Sequence, residues 1–402
     1  MTLQKIGFSL ELINLPFSLD WLPSCAYLVG GAVRDALLKL ERNYLDLDFV
    51  LPVAAVETAQ KIANYHQAGF VILDKERQIA RVVFPEGTVD FALQEGATLE
   101  KDLGRRDFTV NAIAYNLHQQ KLFDPLGGLK DLENGVLRMV SQANLEDDPL
   151  RLLRAYRQAA QLNFTIDPNT RKTICTLALS LHRIAAERVQ TELNYLFTNP
   201  RGTKWLTAAW EDGLLQLWFA HVTKDKVDQL KVIDSIADYL PALPKNCHDW
   251  LILTKLATLV TQEPKKAELE VAKLKYSRYH LRGVVATVMH LSRLQTLTSP
   301  LSLREQYFFF KEVKDIFPIL AARAIAVEIP QKIINPLIDN YLDPHSLVVY
   351  PQPLVTGHDL IKVLKIKPSP LIGKLLTEIQ IAQIEGKIAS AQEALQFAES
   401  LL

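Results

Sequence analysis

The sequence predicts a small α/β head followed by an all-α remainder. Three observations carry this expectation. Between residues 25 and 125, short β-branched and aromatic runs alternate with helical stretches. From Pro149 onward, apolar residues recur at helical spacing. Proline and glycine punctuation falls between these stretches, as helix-to-helix turns require. The length of 402 residues exceeds what one ordinary core organises, so two to four structural units are expected.

The elements can be justified in chain order. Met1 to Ser24 carries Glu11 and Asp20 and lacks a basic start with an apolar run, so it reads as an N-terminal extension (1–24) and not a secretory signal. Ala26 to Val29 is an apolar run ending in Gly30-Gly31, and Val33 to Leu40 then has the apolar side of a helix. Leu47 to Leu51, Phe70 to Leu73, Ile79 to Phe84 and Val89 to Ala92 are further strands, giving about five in all. A helix from Val56 to Gln67 ends at Gly69. Leu150, Leu153 and Ala160 begin a helical stripe that Ile174, Leu177 and Leu181 continue. Breaks fall at Asn199 to Gly202, Pro241 to Pro244, Pro300, Pro330 and Pro351, with no fixed-period repeat.

Composition narrows the class. With 49% hydrophobic and 22% charged residues the chain is a folded, soluble protein, which excludes disordered, collagenous and low-complexity classes. No run of ~18 apolar residues is present, so no membrane span is expected. Cys25, Cys175 and Cys247 are far apart and form no CxxC or Cys/His cluster. Neither a disulfide framework nor a structural zinc is indicated, and a cytoplasmic location fits. Lys and Arg number 45 against 45 Asp and Glu. Zero net charge excludes only a uniformly basic binder, because electrostatic footprints are local.

Four strings carry chemistry. Gly30-Gly31-Ala32-Val33-Arg34-Asp35 sits where a strand meets a helix, so backbone N–H groups and Arg34 could grip a phosphate; a tight turn with Arg34 on the surface is the plainer reading. Asp46-Leu47-Asp48 puts two carboxylates on one face of a strand beside the apolar Phe49-Val50-Leu51. Such a pair repels unless a divalent cation lies between, and Mg²⁺ is the natural one; a lone pair of this kind is more often a solvated loop. Near the Arg34 string, the two together point to nucleotidyl or phosphoryl transfer. Asp102-Leu-Gly-Arg105-Arg106-Asp107-Phe-Thr-Val-Asn111-Ala112 is the most unusual string in the chain, with a basic loop as its alternative. In Asp147-Asp148-Pro149-Leu150-Arg151, Asp148 reads as a helix N-cap with proline at the first helical position. Arg151, Arg154 and Arg157 then share an arc of that helix. A nucleotide or nucleic-acid phosphate would relieve their repulsion, and a solvated basic face is the alternative.

Taken in order, these strings resemble the class II tRNA nucleotidyltransferases, the bacterial CCA-adding enzymes and their poly(A) polymerase relatives. The resemblance returns in Val355-Thr-Gly-His-Asp-Leu-Ile-Lys362, Pro370-Leu-Ile-Gly-Lys374 and Glu385-Gly-Lys-Ile388. It implies a polymerase-β-like catalytic head (25–140), a base-recognising helical neck (141–205), a helical body (206–345) and a tRNA-binding tail (346–402), arranged as an elongated multidomain protein. It also implies roles. Asp46 and Asp48 would be catalytic and hold Mg²⁺, with Asp90 a weaker third carboxylate. Gly30, Gly31 and Arg34 would hold the triphosphate and Arg106 the nucleotide. Asp148 and Arg151 would read the base edge, and Arg154 and Arg157 would support the nucleotide or its phosphates.

Two departures from the family pattern bear on specificity. Asp147 stands where Glu usually precedes the base-reading Asp. The stretch from Leu93 to Asp102 is short where full CCA-adding members carry a flexible loop for the switch from CTP to ATP. The resemblance is therefore to the CC-adding subgroup: two CMP residues from CTP on the tRNA 3′ end, with a separate A-adding enzyme acting afterwards. A complete CCA-adding enzyme using CTP and ATP, an A-adding enzyme and a poly(A) polymerase are rivals of the same class; the last lacks its long basic C-terminal extension here. A non-catalytic RNA-binding protein on an inactivated head is the rival of another class. Glu187-Arg188 and Glu192 could orient the neck or pair within their own helix. Lys265, Lys266, Lys273, Lys275, Arg278 and Arg282 form a basic strip suited to tRNA or an ordinary solvated face.

Overall fold

A computed structural model describes residues 15–40, 44–239 and 249–402. The Pro241 to Pro244 break, Cys247 and most of the 1–24 extension lie outside the described residues. The chain divides into two compact units, residues 1–214 and 215–402.

The first unit is built on a mixed seven-stranded sheet. Its elements run β1 (Tyr27–Val29), α1 (Gly31–Leu37), β2 (Leu45–Leu51), α2 (Ala55–His66), β3 (Gly69–Asp74), β4 (Ile79–Phe84) and β5 (Gly87–Leu93). There follow α3 (Leu99–Leu103), β6 (Ala114–Asn116), β7 (Lys121–Phe123), α4 (Gly128–Asn134), the short β8 (Val136–Leu137) and α5 (Gln142–Asp147). Next come α6 (Leu150–Leu162), β9 (Thr165–Ile166), α7 (Pro168–Leu177), α8 (Ala186–Thr198) and α9 (Gly202–Glu211). The large sheet has the order β3-β4-β5-β2-β1-β6-β7, and β8 pairs with β9 apart from it. Seven strands replace the expected five or so, because β6 and β7 are three residues each, too short to show a period in the sequence.

Register decides which side of the sheet is chemical. β2 and β5 run parallel, with Asp46 opposite Thr88, Asp48 opposite Asp90 and Phe49 opposite Phe91. Because side chains alternate, Leu47, Phe49 and Leu51 share one face with Val89 and Phe91, and Ala80, Val82 and Phe84 of β4 continue it. That face is buried with Ala55, Ala59, Ile62 and Ala63 of α2. Phe49 and Phe91 stack there at 5.6 Å, and truncating either would cost about 3–5 kcal/mol. The opposite face carries Asp46, Asp48, Thr88, Asp90 and Arg81.

Helix α6 packs against α8 and α9. The expected neck–body boundary at 205/206 would cut α9, which belongs whole to the first unit.

The second unit is helical, with ten α-helices among its described residues. They are α10 (Lys224–Tyr239), α11 (Trp250–Leu259), α12 (Pro264–Lys273), α13 (Arg278–Gln295) and α14 (Leu303–Val313). Then follow α15 (Phe317–Ala326), α16 (Gln331–Leu342), α17 (Gly357–Leu364), α18 (Pro370–Ile384) and α19 (Ala391–Ser400). Phe309, Phe310, Phe317, Leu320 and Leu337 centre one core, while Leu360, Leu375, Ile379 and Ala394 centre a second under α17 to α19. Asp359 closes a capping box with Thr356 at the start of α17, so His358-Asp359 begins a helix. No described helix is long and apolar enough to cross a membrane.

Candidate active site

The chemical face of the sheet, the β1–α1 turn and one side of α6 enclose a cavity of about 1620 Å³. Its wall contains Gly30, Gly31, Arg34, Asp46, Asp48, Asp90, Arg106, Arg151, Arg154 and Arg157. Residues far apart in the chain thus meet in one place. Asp148 alone of the expected set is not in this wall; Arg188, which holds it, is.

At the floor, Thr88 Oγ1 donates to Asp46 Oδ1 at 3.2 Å. Burial pushes the Asp48 carboxyl up to about 6; Asp46 and Asp90 add to the rise, while Arg106 opposes it. A desolvated carboxylate beside a second one, both hard oxygen donors, fits a divalent cation of the Mg²⁺ kind. Asp90 is engaged differently. Arg81 donates to both its oxygens, Nε to Oδ1 at 2.7 Å and Nη2 to Oδ2 at 2.8 Å. Among the described residues no three His, Cys, Asp or Glu side chains gather as a metal site, and Asp90 faces Asp48 with its own oxygens paired to Arg81.

Gly30 explains why the turn above the floor needs glycine. Its φ of 77° and ψ of −141° lie where side-chain-bearing residues are strained. A Cβ there would stand 2.9 Å from Arg106 Nη1 and 3.3 Å from Asp48 Oδ2. The plainer reading of Arg34 as a surface residue is overturned. It is buried, and donates from Nε to Asp35 at 2.8 Å and from Nη1 to Asn111 Oδ1 at 2.6 Å and Gln158 Oε1 at 3.3 Å.

The arginine arc of α6 is met by protein partners. Arg151 Nη1 donates to the carbonyls of Arg105 at 2.8 Å and Asn144 at 3.1 Å. Arg154 lies 3.6 Å from Asp107, while Arg157 donates from Nε to Glu192 and packs over Tyr195. Burial opposes the Asp107 charge, yet Arg154 with the Asn111 amide and Phe108 N–H holds its carboxyl below the usual range. Among the described residues the Nε groups of Arg106 and Arg154 are buried without a hydrogen-bond partner, while both side chains line the cavity. The N-cap of α6 is Pro149 and not Asp148 as expected; Asp148, the C-cap of α5, still takes the Leu150 N–H at 3.3 Å on Oδ1 and Arg188 at 2.9 Å on Oδ2. Arg188 and Glu192 therefore pair across elements, with α6 and its entry, as orienting residues would.

Sequence reasoning passed over Arg81, Asn111 and Gln158 as individuals. Asn111 and Asp107 stood inside the quoted string at a four-residue spacing, and that was their only signal. Gln158 gave none beyond its place seven residues after Arg151, on the same side of α6.

Residues 26–138 match the poly A polymerase head domain. Residues 163–225 match the probable RNA and SrmB-binding site of polymerase A, and 247–398 match tRNA nucleotidyltransferase domain 2. The chain is 52% identical to a CC-adding tRNA nucleotidyltransferase of Synechocystis sp., covering 96% of each chain. It is 29% identical to an A-adding tRNA nucleotidyltransferase of Deinococcus radiodurans, over 94% of this chain and 95% of that one. The fold resembles that of the Thermotoga maritima CCA-adding enzyme complexed with tRNA, at a TM-score of 0.75 and 22% identity over 93% of this chain and 90% of that one.

Proposed function

The chain belongs to the CCA-adding enzyme family of tRNA nucleotidyltransferases, in its CC-adding subgroup, and from that premise we propose that it transfers two CMP residues from CTP to the tRNA 3′ end without a nucleic-acid template. The observation that carries the two-residue limit is the link between β5 and α3. Only Gln94 to Thr98 join Leu93 to Leu99, and they are tied down. Gln94 N–H donates to the Leu51 carbonyl at 2.7 Å, Glu95 N–H donates to Asp102 Oδ1 at 2.9 Å, and the Glu95 carboxylate pairs with Arg105. So short and tethered a link leaves no free loop to reshape the base pocket for ATP.

In this reading Asp46 and Asp48 hold Mg²⁺. When bound, it supplies charge neutralisation at the α-phosphate and a more acidic 3′-hydroxyl. Gly30 and Gly31 let the triphosphate approach the backbone, Arg34 holds its charge, and the guanidinium groups of Arg106 and Arg154 in the cavity wall donate to the nucleotide. Arg157, already engaged by Glu192, keeps α6 in place against α8. Cytosine presents an amino donor beside ring-nitrogen and carbonyl acceptors, which a carboxylate and a guanidinium complement. Arg151 meets the acceptors. The cytosine amine takes the place of Arg188 on Asp148 Oδ2. A separate A-adding enzyme then completes the 3′ end.

Incubating the purified protein with tRNA lacking its 3′-terminal CCA and with labelled CTP or ATP tests this. Two CMP additions and no AMP are expected. Efficient AMP addition after the second CMP would replace the reading with complete CCA addition.

A further inference from the structure

A buried polar network joins α1 to α6 through one neutral side chain. Gln158 is almost fully enclosed. Its Oε1 accepts from Asn111 Nδ2 at 2.9 Å and Arg34 Nη1 at 3.3 Å, and its Nε2 donates to Asp107 Oδ2 at 3.3 Å. The orientation of the amide follows from its neighbours: oxygen toward the cation, nitrogen toward the anion. The charged groups around it are Arg34 with its partner Asp35, Asp107, and Arg154 from its own helix.

Gln158 also lies seven residues after Arg151. At 3.6 residues per turn the two share one side of α6, about 10 Å apart along its axis. That length is comparable to the reach from a nucleotide's base to its phosphates. We propose that Gln158 is a positioning residue that ties α6 to Arg34 and thereby sets the distance between the arginine at the base and the arginine at the triphosphate. The inference rests on the function proposed above, since it takes a nucleoside triphosphate as occupant of the cavity. Asn111 acts as the intermediate, because it bonds Arg34, Asp107 and Gln158 at once. A branched hydrophobic side chain of similar bulk, such as leucine, would occupy most of the space and leave α6 without its tether to these groups.

The test uses the full-length protein with Mg²⁺ and measures equilibrium binding of CTP. Gln158→Leu should weaken CTP binding about tenfold, the scale of lost hydrogen bonds to charged groups, with the fold checked by thermal unfolding. Gln158→Glu separates positioning from packing. Its carboxyl faces Asp107, and two carboxyls sharing one buried site hold a proton to higher pH than either would alone. Protonated, the new group accepts from Arg34 and donates to Asp107 as the amide does; ionised, it repels Asp107. CTP binding by this variant should be weak near pH 8 and approach the unmodified protein as pH falls toward about 6, relative to the unmodified protein's own profile. Either a folded Gln158→Leu protein with CTP binding within twofold of the original, or a Gln158→Glu profile parallel to it, overturns the proposal. The second measurement decides alone if the leucine variant does not fold. Failure of CMP transfer by the unmodified protein would instead count against the proposed reaction, and the CTP binding comparison still reads out Gln158.

Discussion

Asp46 and Asp48 differ from the other acids in the chain by where the sheet sets them. Both point from β2 to the cavity side, and burial with a neighbouring carboxylate makes Asp48 reluctant to ionise. A group so placed is costly unless its charge is used. Asp46→Ala should therefore lower CMP transfer by at least about a thousandfold while leaving tRNA affinity within about twofold; labelled-CMP incorporation beside a tRNA filter-binding titration checks this. An unchanged transfer rate would remove Asp46 from the metal site. These two carboxylates were legible in the sequence because their i, i+2 spacing on an apolar strand has a direct geometric meaning. Asp90 shows the limit of the same logic. Its place on a neighbouring strand makes it a third-ligand candidate, and Arg81 opposite it on β4 donates to both its oxygens. Nothing local to Asp90 in the sequence reveals a partner nine residues earlier on another strand.

Among the elements, the β1–α1 turn and α6 do most to shape the cavity. The turn works because Gly30 adopts a backbone conformation that suits glycine and leaves room for Arg106 and Asp48 beside it. Gly30→Ala should cost about 1–3 kcal/mol in chemical denaturation and reduce CMP transfer more than tenfold, since the added methyl presses on both side chains. A variant with full activity would show that the turn tolerates side chains and that the space above Asp48 is not needed. The sequence identified α6 correctly as a basic helix, because a three-residue spacing of arginines is visible without a structure. It did not show what balances them. Asp107 and Glu192 come from segments on either side of the helix, tens of residues away, and turn a repelling arc into a braced one. Asp148 is a related case: the helix start beside it was readable to within one residue, whereas Arg188 holding its second oxygen was not.

At the scale of the molecule, equal numbers of acidic and basic residues coexist with strongly divided charge. In the first unit, carboxylates sit on the cavity floor and arginines line its walls. In the second, the expected basic strip is partly engaged: Lys266 pairs with Glu263, and Lys273 donates to the Leu217 carbonyl while lying over Trp218. Lys265, Lys275, Arg278 and Arg282 are exposed, and a local cationic surface on a neutral protein is what we propose there. Binding of tRNA through such a surface releases counterions, so its affinity should fall about tenfold or more between 50 and 200 mM salt, with log affinity linear in log salt. A titration flat across that range would exclude phosphate contacts as the main source of tRNA affinity.

The sequence by itself determined the fold class, the metal-type carboxylate pair, the glycine turn and the basic helix. Each is encoded by residues within a few positions of one another, where strand alternation and helical turn convert spacing into direction. The tertiary structure alone decided the seven-strand order, the Arg81–Asp90 pair, the braces on the α6 arginines and the place of Gln158. These depend on which strands and helices become neighbours, and that is set by burying Phe49, Phe91 and the apolar side of α2 together. Once that hydrophobic face is buried, strand alternation turns the polar face toward α6, and the active-site partners meet as a consequence.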